Sequence, residues 1–287
     1  MSSLLPLFPP ADAPVGVFDS GVGGLSVLRH IQAQLPCERL IYFADSAYAP
    51  YGDKTEQEVV ERSLQVAAFL IGHGAKALVV ACNTATVAAI HTLRAHYPAM
   101  LLVGVEPGLK PAAALTRNGK VGVMATGRTL AGDKFLQLRE QIGHASQATF
   151  LLQACVGLVE RIERGELDGQ ATLDLLERYL APLLAQGVDT LVLGCTHYPF
   201  VQGAIEQVLA RHGAQVTLVD TGAAVARQLA RLLAGAGRLR GAEHGAGALQ
   251  AYTSADAATL ALGFERLLKL APRVLETRLA HPTHLNT

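Results

Sequence analysis

Short runs of apolar, β-branched residues alternate along this chain with longer stretches of helical periodicity. Because strands buried on both faces of a parallel sheet read as continuous apolar runs, this alternation predicts parallel sheets with helical crossovers. The predicted fold class is therefore α/β. The predicted strands cover residues 15–18, 39–44, 77–81, 101–105, 120–125, 190–194 and 216–220.

Two of the intervening stretches carry clear helix signals. Thr55 and Glu58 have the spacing of a capping box, and the residues that follow are apolar at helical intervals as far as Gly72. A second apolar stripe begins at Leu25 and ends before Pro36. Helix and strand are thus expected to alternate along the chain.

The length of the chain favours two domains. It has 287 residues, of which 50% are hydrophobic, and single cores rarely grow much beyond this size. Pro and Gly cluster after the strand at 101–105, which predicts a crossing between domains there, with a return near 215–221. The predicted first domain comprises residues 1–105 and 217–287, and the second comprises residues 106–216.

Both ends of the chain are expected to lie outside the packed core. The first ten residues carry three prolines and no basic segment, which is typical of a flexible lead-in and not of a secretory signal. The tail after about residue 272 has little apolar surface to bury, so we expect disorder there.

Composition argues against nucleic acid and membranes as partners. The 24 Lys and Arg residues balance the 24 Asp and Glu residues, so no uniform field attracts polyanions or anionic lipid. No stretch approaches the roughly 20 apolar residues that a membrane-spanning helix needs. We expect a soluble, cytoplasmic protein with a small-molecule partner.

Two of the four cysteines stand at matching places. The set contains no CxxC pair and predicts neither a disulfide framework nor a zinc module. Cys82 and Cys195 each follow a predicted buried strand, one in each predicted domain. Because ligands of α/β sheets bind beyond the carboxyl ends of strands, we expect an interdomain cleft with one thiol on either side.

A cysteine at a strand end is often only a small buried hydrophobe. Here polar residues follow each one where a helix should begin, namely Asn83, Thr84 and Thr196. Backbone N–H groups at such a helix start stabilise a thiolate or bind a carboxylate. One thiolate and one thiol on opposite sides of a substrate carbon would remove a proton from one face and return it to the other.

Two further loops follow predicted strands. The glycines of residues 19–24 could supply positive φ for a tight turn, and their spacing matches neither a dinucleotide fingerprint nor a P-loop. Asp19 could orient a substrate ammonium group or help to move a proton. Residues 45–52 could be turn chemistry alone, or the backbone of Tyr51 and Gly52 could hold a carboxylate.

His197 has three possible roles: metal ligand, structural histidine or acid–base partner of Cys195. A zinc site needs three or four ligands, and neither Cys37 nor Cys155 has a matching spacing. No metal site is therefore predicted.

Six segments, in this order, closely resemble the glutamate racemases, and the resemblance covers most of residues 15–265. The segments are FDSGVGGLSVLR (18–29), ADSAYAPYGDK (44–54), VVACNTAT (79–86), GVEPG (104–108), ATGRT (125–129) and LGCTHYP (193–199).

The resemblance implies two similar three-layer α/β domains related by pseudo-twofold symmetry, with the active site in the interdomain cleft. It implies interconversion of L- and D-glutamate without any cofactor or metal, and supply of D-glutamate for peptidoglycan synthesis. Cys195 would deprotonate L-glutamate and Cys82 would deprotonate D-glutamate. A homodimer or a monomer–dimer equilibrium is expected.

The same resemblance implies which residues surround the substrate. Asp19 would assist Cys82, and His197 would assist Cys195. Ala-Cys-Val replaces the usual Ala-Cys-Pro at residues 154–156, and of the acidic residues downstream, Glu160 and Glu163, we select Glu163. The expected substrate contacts are Asp19, Ser20, Tyr51, Gly52, Asn83, Thr84, Thr126, Thr129, Thr196 and His197.

Two other functions remain open from the sequence. An aspartate or hydantoin racemase would share the cysteine pair and differ in its pocket, although the loops at 19–24 and 49–52 favour glutamate. A non-catalytic amino-acid-binding protein could use the same cleft, although binding alone does not require two opposed thiols. Comparing turnover of aspartate and glutamate tests the first alternative, and glutamate binding without solvent proton exchange would support the second.

Overall fold

The computed structural model describes residues 10–279 and contains two parallel sheets. The strands are β1 (Val15–Asp19), β2 (Leu40–Ala44), β3 (Ala77–Val80), β4 (Leu101–Gly104), β5 (Lys120–Ala125), β6 (Thr149–Ala154), β7 (Thr190–Leu193), β8 (Thr217–Val219), β9 (Leu249–Thr253) and β10 (Arg273–Glu276). The first sheet has the order β10-β9-β2-β1-β3-β4 and the second has the order β6-β5-β7-β8. The prediction of an α/β fold with parallel sheets is confirmed.

Helices connect the strands and cover both sheets. They are α1 (Leu25–Gln34), α2 (Glu56–Gly72), α3 (Asn83–His96), α4 (Leu109–Leu115), α5 (Gly127–Ala131), α6 (Asp133–Ser146), α7 (Leu158–Glu163), α8 (Gln170–Ala185), α9 (Gln202–Arg211), α10 (Gly222–Gly235) and α11 (Ala257–Leu268). Between residues 10 and 279, none of the helices has the length and apolar character that crossing a membrane would require.

The two sheets repeat one topology. In β2-β1-β3-β4 and in β6-β5-β7-β8, the strand that comes second in sequence lies at one side, followed by the first, third and fourth. The helix after each fourth strand crosses to the other sheet: α4 packs on β7, β8 and α6, whereas α10 packs on β4 and α1. This repetition agrees with the expected pseudo-symmetry. The two crossing helices, α4 and α10, each pack against the other half of the molecule and so connect the two halves.

The predicted return crossing near residues 215–221 includes the point where the chain leaves the second sheet, but the domain boundary set at residue 217 needs a correction. Residues 217–219 form β8, which pairs with β7 in the second sheet, so their assignment to the first domain is wrong. The chain leaves the second sheet only after Val219 and enters α10. The rest of the predicted domain division stays a prediction.

Both chain ends differ in part from expectation. Residues 273–276 form β10, parallel to β9, so the predicted disorder after residue 272 is wrong for that strand. In the lead-in, Asp12 binds Arg39 and Arg240, and the carbonyl of Pro14 accepts a hydrogen bond from the N–H group of Lys76. The remainder of the predicted lead-in and tail, residues 1–9 and 280–287, lies outside the described residues.

The core lies on both faces of each sheet, which explains why the central strands are continuously apolar. In the first sheet, Val15 and Val17 point to the face covered by α1 and α10, whereas Phe18 belongs to the face covered by α2 and α3. Every residue of β1, β2 and β3 is buried. These strands therefore hold the loops at their carboxyl ends in fixed positions.

The capping box predicted for α2 is present. The hydroxyl of Thr55 accepts a hydrogen bond from the N–H group of Glu58 at 3.2 Å, and the Glu58 carboxylate accepts one from the N–H group of Thr55 at 2.7 Å. We expect Thr55→Ala to lower the free energy of unfolding by about 1 kcal/mol, measured by urea denaturation. Thr55→Ser keeps the cap, so an equal loss in the serine variant would contradict this account.

Candidate active site

The carboxyl ends of the two sheets face each other. The hydroxyl of Ser26, after β1, donates to the carbonyl of Thr196, after β7, at 2.7 Å. The N–H group of Val22 donates to the carboxylate of Glu163 at 3.1 Å. Residues singled out in the sequence that lie at this boundary are Asp19, Ser20, Gly52, Cys82, Thr84, Thr126, Thr129, Glu163, Cys195, Thr196 and His197.

Cys82 follows β3 and occupies the N-cap of α3. Its sulfur accepts a hydrogen bond from the N–H group of Ala85 at 3.5 Å and lies 3.8 Å from the hydroxyl oxygen of Ser20. The residue is only 5% exposed. Burial, and then the charge of Asp19, raise the pKa of the Cys82 thiol well above its usual value. Cys82 is therefore a protonated thiol at neutral pH in this arrangement.

Asp19 is fully buried at the end of β1, where the following loop turns around its carboxylate. The N–H group of Gly24 donates to Oδ2 at 2.7 Å, and that of Gly21 donates to the same oxygen at 3.4 Å. Burial raises the pKa of Asp19, although the charge of His197 opposes this shift. A carboxyl with a raised pKa beside a thiol is suited to exchanging protons with it.

A chain of three side chains leads from Cys195 to Glu163. The Cys195 sulfur lies 3.7 Å from Nδ1 of His197, and Nε2 of His197 lies 2.7 Å from Oε1 of Glu163. Burial acts to lower the pKa of His197, but contacts with Cys195 and Glu163 outweigh it and raise that pKa well above the usual value. Burial likewise acts to raise the pKa of Glu163, and the bond to His197 overrides it and lowers that pKa. The pair is thus an imidazolium and a carboxylate.

The glycines after Asp19 are required by close packing. Gly21 and Gly23 do not have positive φ, so the interpretation that this loop needs them for a left-handed turn is wrong. A Cβ atom on Gly21 would lie 2.1 Å from Oε1 of Glu163, and one on Gly23 would lie 2.2 Å from Nδ1 of His197. Only glycine lets the loop approach these two side chains.

Three threonines close another part of the boundary. The hydroxyl of Thr84, on α3, lies 3.1 Å from that of Thr126 and 3.3 Å from that of Thr129. The Thr126 side chain also caps α5 by accepting from the N–H group of Thr129 at 3.3 Å. These hydroxyls join the helix that starts beside Cys82 to the loop after β5.

Tyr51 has its backbone available for a ligand, whereas Asn83 has its side-chain amide. The Tyr51 ring is buried, and its hydroxyl donates to Asp45 at 2.6 Å, so the side chain is already engaged and the backbone is what remains for a ligand. A Cβ atom on Gly52 would lie 3.4 Å from that of Thr126, which puts this loop at the boundary. Among the described residues, the buried amide nitrogen of Asn83 has no hydrogen-bond partner.

Two charged residues behind the site were missed from the sequence. Asp45 is fully buried, and Arg62, on α2, forms two hydrogen bonds with its carboxylate. Arg62 lies on the same helix face as the buried residues Val59 and Val66. An arginine within the apolar stripe of a helix is the signal that could have identified a buried ion pair there.

Buried thiols and displaced pKa values gathered between two α/β sheets are typical of catalytic sites. The fold and the site together define a two-sheet α/β protein with one buried thiol from each sheet at the boundary between them. A model of the Asp/Glu/Hydantoin racemase family matches residues 15–229. The chain belongs to this family.

Individual relatives agree with that assignment. A glutamate racemase of Pseudomonas paraeruginosa is 56% identical over 221 residues, which are 77% of this chain and 82% of that protein. The structure of Escherichia coli glutamate racemase, bound to L-glutamate and the activator UDP-MurNAc-Ala, superposes with a TM-score of 0.78 at 36% identity and covers 93% of this chain and 98% of that one. The Francisella tularensis enzyme, bound to D-glutamate, gives a TM-score of 0.80 at 28% identity, with 94% and 98% covered.

Proposed function

We propose that this chain is a glutamate racemase that moves the α-proton of glutamate between its two faces with Cys82 and Cys195. The observation that carries the proposal is the pair of buried thiols at the ends of β3 and β7, topologically equivalent strands of two sheets whose carboxyl ends face each other. Relatives named glutamate racemase, and solved relatives bound to L- and D-glutamate, support glutamate as the substrate.

Starting from L-glutamate, Cys195 acts as the base. The positively charged imidazolium of His197, itself paired with Glu163, lies 3.7 Å from the sulfur that serves as this base. The thiolate takes the α-proton and becomes a thiol, and the electron pair stays on the substrate. Cys82, whose thiol is protonated, gives its proton to the opposite face and becomes a thiolate. The reverse reaction exchanges the two roles.

The carbanion needs stabilisation because the α-hydrogen of an ionised amino acid is only weakly acidic. Fixed N–H and hydroxyl donors in a water-poor cleft provide it, since electrostatic interactions are stronger there than in water. The free amide of Asn83 and the hydroxyls of Ser20, Thr84 and Thr196 are the donors assigned to the carbanion, whereas the backbone of Tyr51 and Gly52 is assigned to holding a carboxylate of the substrate.

The enzyme must restore its starting protonation after each turnover. In the L-to-D direction Cys82 ends as a thiolate, which burial and the charge of Asp19 disfavour. Once the product has left, solvent returns a proton to Cys82 by way of Asp19, whose pKa is raised, and the Cys195 thiol releases its proton to solvent beside the imidazolium of His197. This assigns Asp19 to one half of the reaction and His197 with Glu163 to the other.

The wider role follows from the product. The reaction uses no cofactor and no metal. The D-glutamate that it makes serves peptidoglycan synthesis in a bacterial cytoplasm. A homodimer, or a monomer–dimer equilibrium, remains our expectation for its assembly.

Incubation of metal-free protein with L-glutamate in deuterated water tests the proposal. We expect loss of optical rotation, with deuterium entering the α-position of the newly formed D-glutamate. Aspartate is tested in parallel under identical conditions. Faster turnover of aspartate than of glutamate would contradict the substrate assignment, and tight glutamate binding without any exchange would contradict the catalytic one.

We expect Glu163→Gln to move the alkaline limb of the pH profile to lower pH. The Glu163 carboxylate helps to raise the pKa of His197, so its loss lowers that pKa and the imidazolium disappears at a lower pH. The loss of kcat/KM for L-glutamate should be on the order of tenfold above neutral pH and smaller below it. Glu160→Gln, on the same helix, is the control, and an equal shift in that variant would contradict the role of Glu163.

A further inference from the structure

Residues 45–52 form a loop that is held from behind by one arginine. Arg62, on α2, donates from Nη2 to Oδ1 of Asp45 at 2.6 Å and from Nε to Oδ2 at 2.9 Å. Its guanidinium also lies 3.6 Å from the centroid of the Tyr48 ring. One side chain therefore contacts the first residue of the loop and the aromatic ring at its middle.

Asp45 connects Arg62 to Tyr51, which lies near the other end of the loop. Its Oδ2 accepts a hydrogen bond from Arg62 and another from the hydroxyl of Tyr51 at 2.6 Å. Asp45 is fully buried and Tyr51 is 1% exposed. Removing the arginine would leave an uncompensated carboxylate among apolar side chains, so the positions of Asp45 and Tyr51 depend on Arg62.

The end of the loop that contains Tyr51 and Gly52 faces the second sheet. Gly52 lies against Thr126, with 3.4 Å between a Cβ built on Gly52 and the Thr126 Cβ, and Thr126 in turn contacts Thr84 beside Cys82. The backbone of Tyr51 and Gly52 therefore sits at the boundary where the substrate is proposed to bind, whereas Arg62 does not reach it.

We propose that Arg62 is a positioning residue for substrate binding: through Asp45 and Tyr51 it holds the backbone of residues 51–52 where that backbone binds a carboxylate of glutamate. The inference rests on the proposed function and deepens it. Because the backbone contact is made to substrate and transition state alike, weakening it raises KM more than it lowers kcat.

The test compares two buried ion pairs of the first sheet. Lys76 pairs with Glu38 at 2.6 Å and is fully buried, but Lys76 immediately precedes β3 and so lies at the opposite end of the sheet from the cleft. Arg62→Met and Lys76→Met each remove the cationic partner of a buried carboxylate, and both should lower the melting temperature. They differ in their distance from the substrate.

We expect Arg62→Met to raise KM for L-glutamate about tenfold or more with a smaller change in kcat, while Lys76→Met keeps KM within about twofold of the wild type. Arg62→Lys should fall between Arg62→Met and the wild type, because lysine keeps the charge but lacks the planar fork that binds both oxygens of Asp45. Equal KM values in Arg62→Met and the wild type, or equal increases in Arg62→Met and Lys76→Met, would overturn the inference.

Tyr51→Phe removes only the hydroxyl that Asp45 holds. If Arg62 acts through Asp45 and Tyr51, the double variant Arg62→Met with Tyr51→Phe should raise KM no more than Arg62→Met alone. Increases in KM that multiply would show independent effects and overturn this route. Should Arg62→Met fail to fold, Tyr51→Phe and Arg62→Lys decide the question, and unchanged KM in both overturns it. Failure of the proposed function is distinguished because the wild type itself would then not racemise glutamate.

Discussion

Cys82→Ser and Cys195→Ser are each expected to lower the rate of glutamate racemisation by about 10²- to 10⁴-fold, the range that an acid–base group contributes. A serine hydroxyl fits the space of either thiol but is a far weaker acid. It therefore neither ionises in place of Cys195 nor releases a proton as readily as Cys82. Chiral chromatography of glutamate after incubation with each variant measures the loss.

The two variants should still differ in proton exchange. In Cys82→Ser, Cys195 removes the α-hydrogen of L-glutamate, exchanges it with deuterated solvent and returns a deuteron to the same face, so L-glutamate exchanges without inversion. Cys195→Ser should exchange D-glutamate instead. Proton NMR of the α-position distinguishes the two, and the reverse pattern would exchange the roles assigned to the two cysteines.

Cys37→Ser supplies the control for these substitutions. Cys37 is half-buried in the loop between α1 and β2, before the amino end of β2 and away from the cleft. Its rate of racemisation should match that of the wild type. Full activity in either cleft variant would refute the two-base mechanism, whereas equal losses in all three would indicate a general effect of thiol removal.

The sequence predicted every strand that is buried throughout, and also the edge strands β4 and β8. β1, β2 and β3 consist of buried residues throughout, so each reads as an unbroken apolar run. The strands β6, β9 and β10 were not predicted. β6 and β10 lie at sheet edges and β9 begins half-exposed, and such strands accept polar residues that interrupt the apolar pattern.

The site was predictable where one residue and its neighbours carry the signal. Cys82 and Cys195 stand directly after strands, and the parallel topology alone brings strand ends to one edge of a sheet. The contact between His197 and Glu163 joins residues 34 positions apart, and only the packing of α7 against the loop after β7 brings them together. No local pattern distinguishes Glu163 from Glu160.

The glycines of residues 21–24 show a different limit. The sequence suggested that they permit a turn with positive φ, whereas the structure shows that Gly21 leaves room for Glu163 and Gly23 leaves room for His197. A glycine needed for its own backbone conformation and one needed for a neighbour's side chain look identical in a sequence. The distinction depends on atoms that come from the other half of the molecule.

Because Gly23 is needed to leave room for His197, we expect Gly23→Ala to cause the second large loss of activity. The added methyl group would lie 2.2 Å from Nδ1 of His197 and 2.4 Å from its Cε1. The ring cannot turn away freely because it is buried and its Nε2 is bound to Glu163. The loop is fixed as well, since the carbonyl of Gly23 accepts hydrogen bonds from both the N–H group and the hydroxyl of Ser26.

Relief of this clash must therefore move His197 relative to Cys195. A displacement of about 1 Å at a catalytic group lowers the rate about 100-fold, while overpacking of this kind costs about 1–3 kcal/mol of stability. We expect kcat for L-glutamate to fall by that factor in protein that still unfolds cooperatively. Gly203→Ala, on α9 with no atom within 4 Å of the added carbon, should keep both kcat and stability. An unchanged kcat in Gly23→Ala would show that proton transfer at Cys195 does not depend on where the imidazole sits, and it would remove His197 from the mechanism.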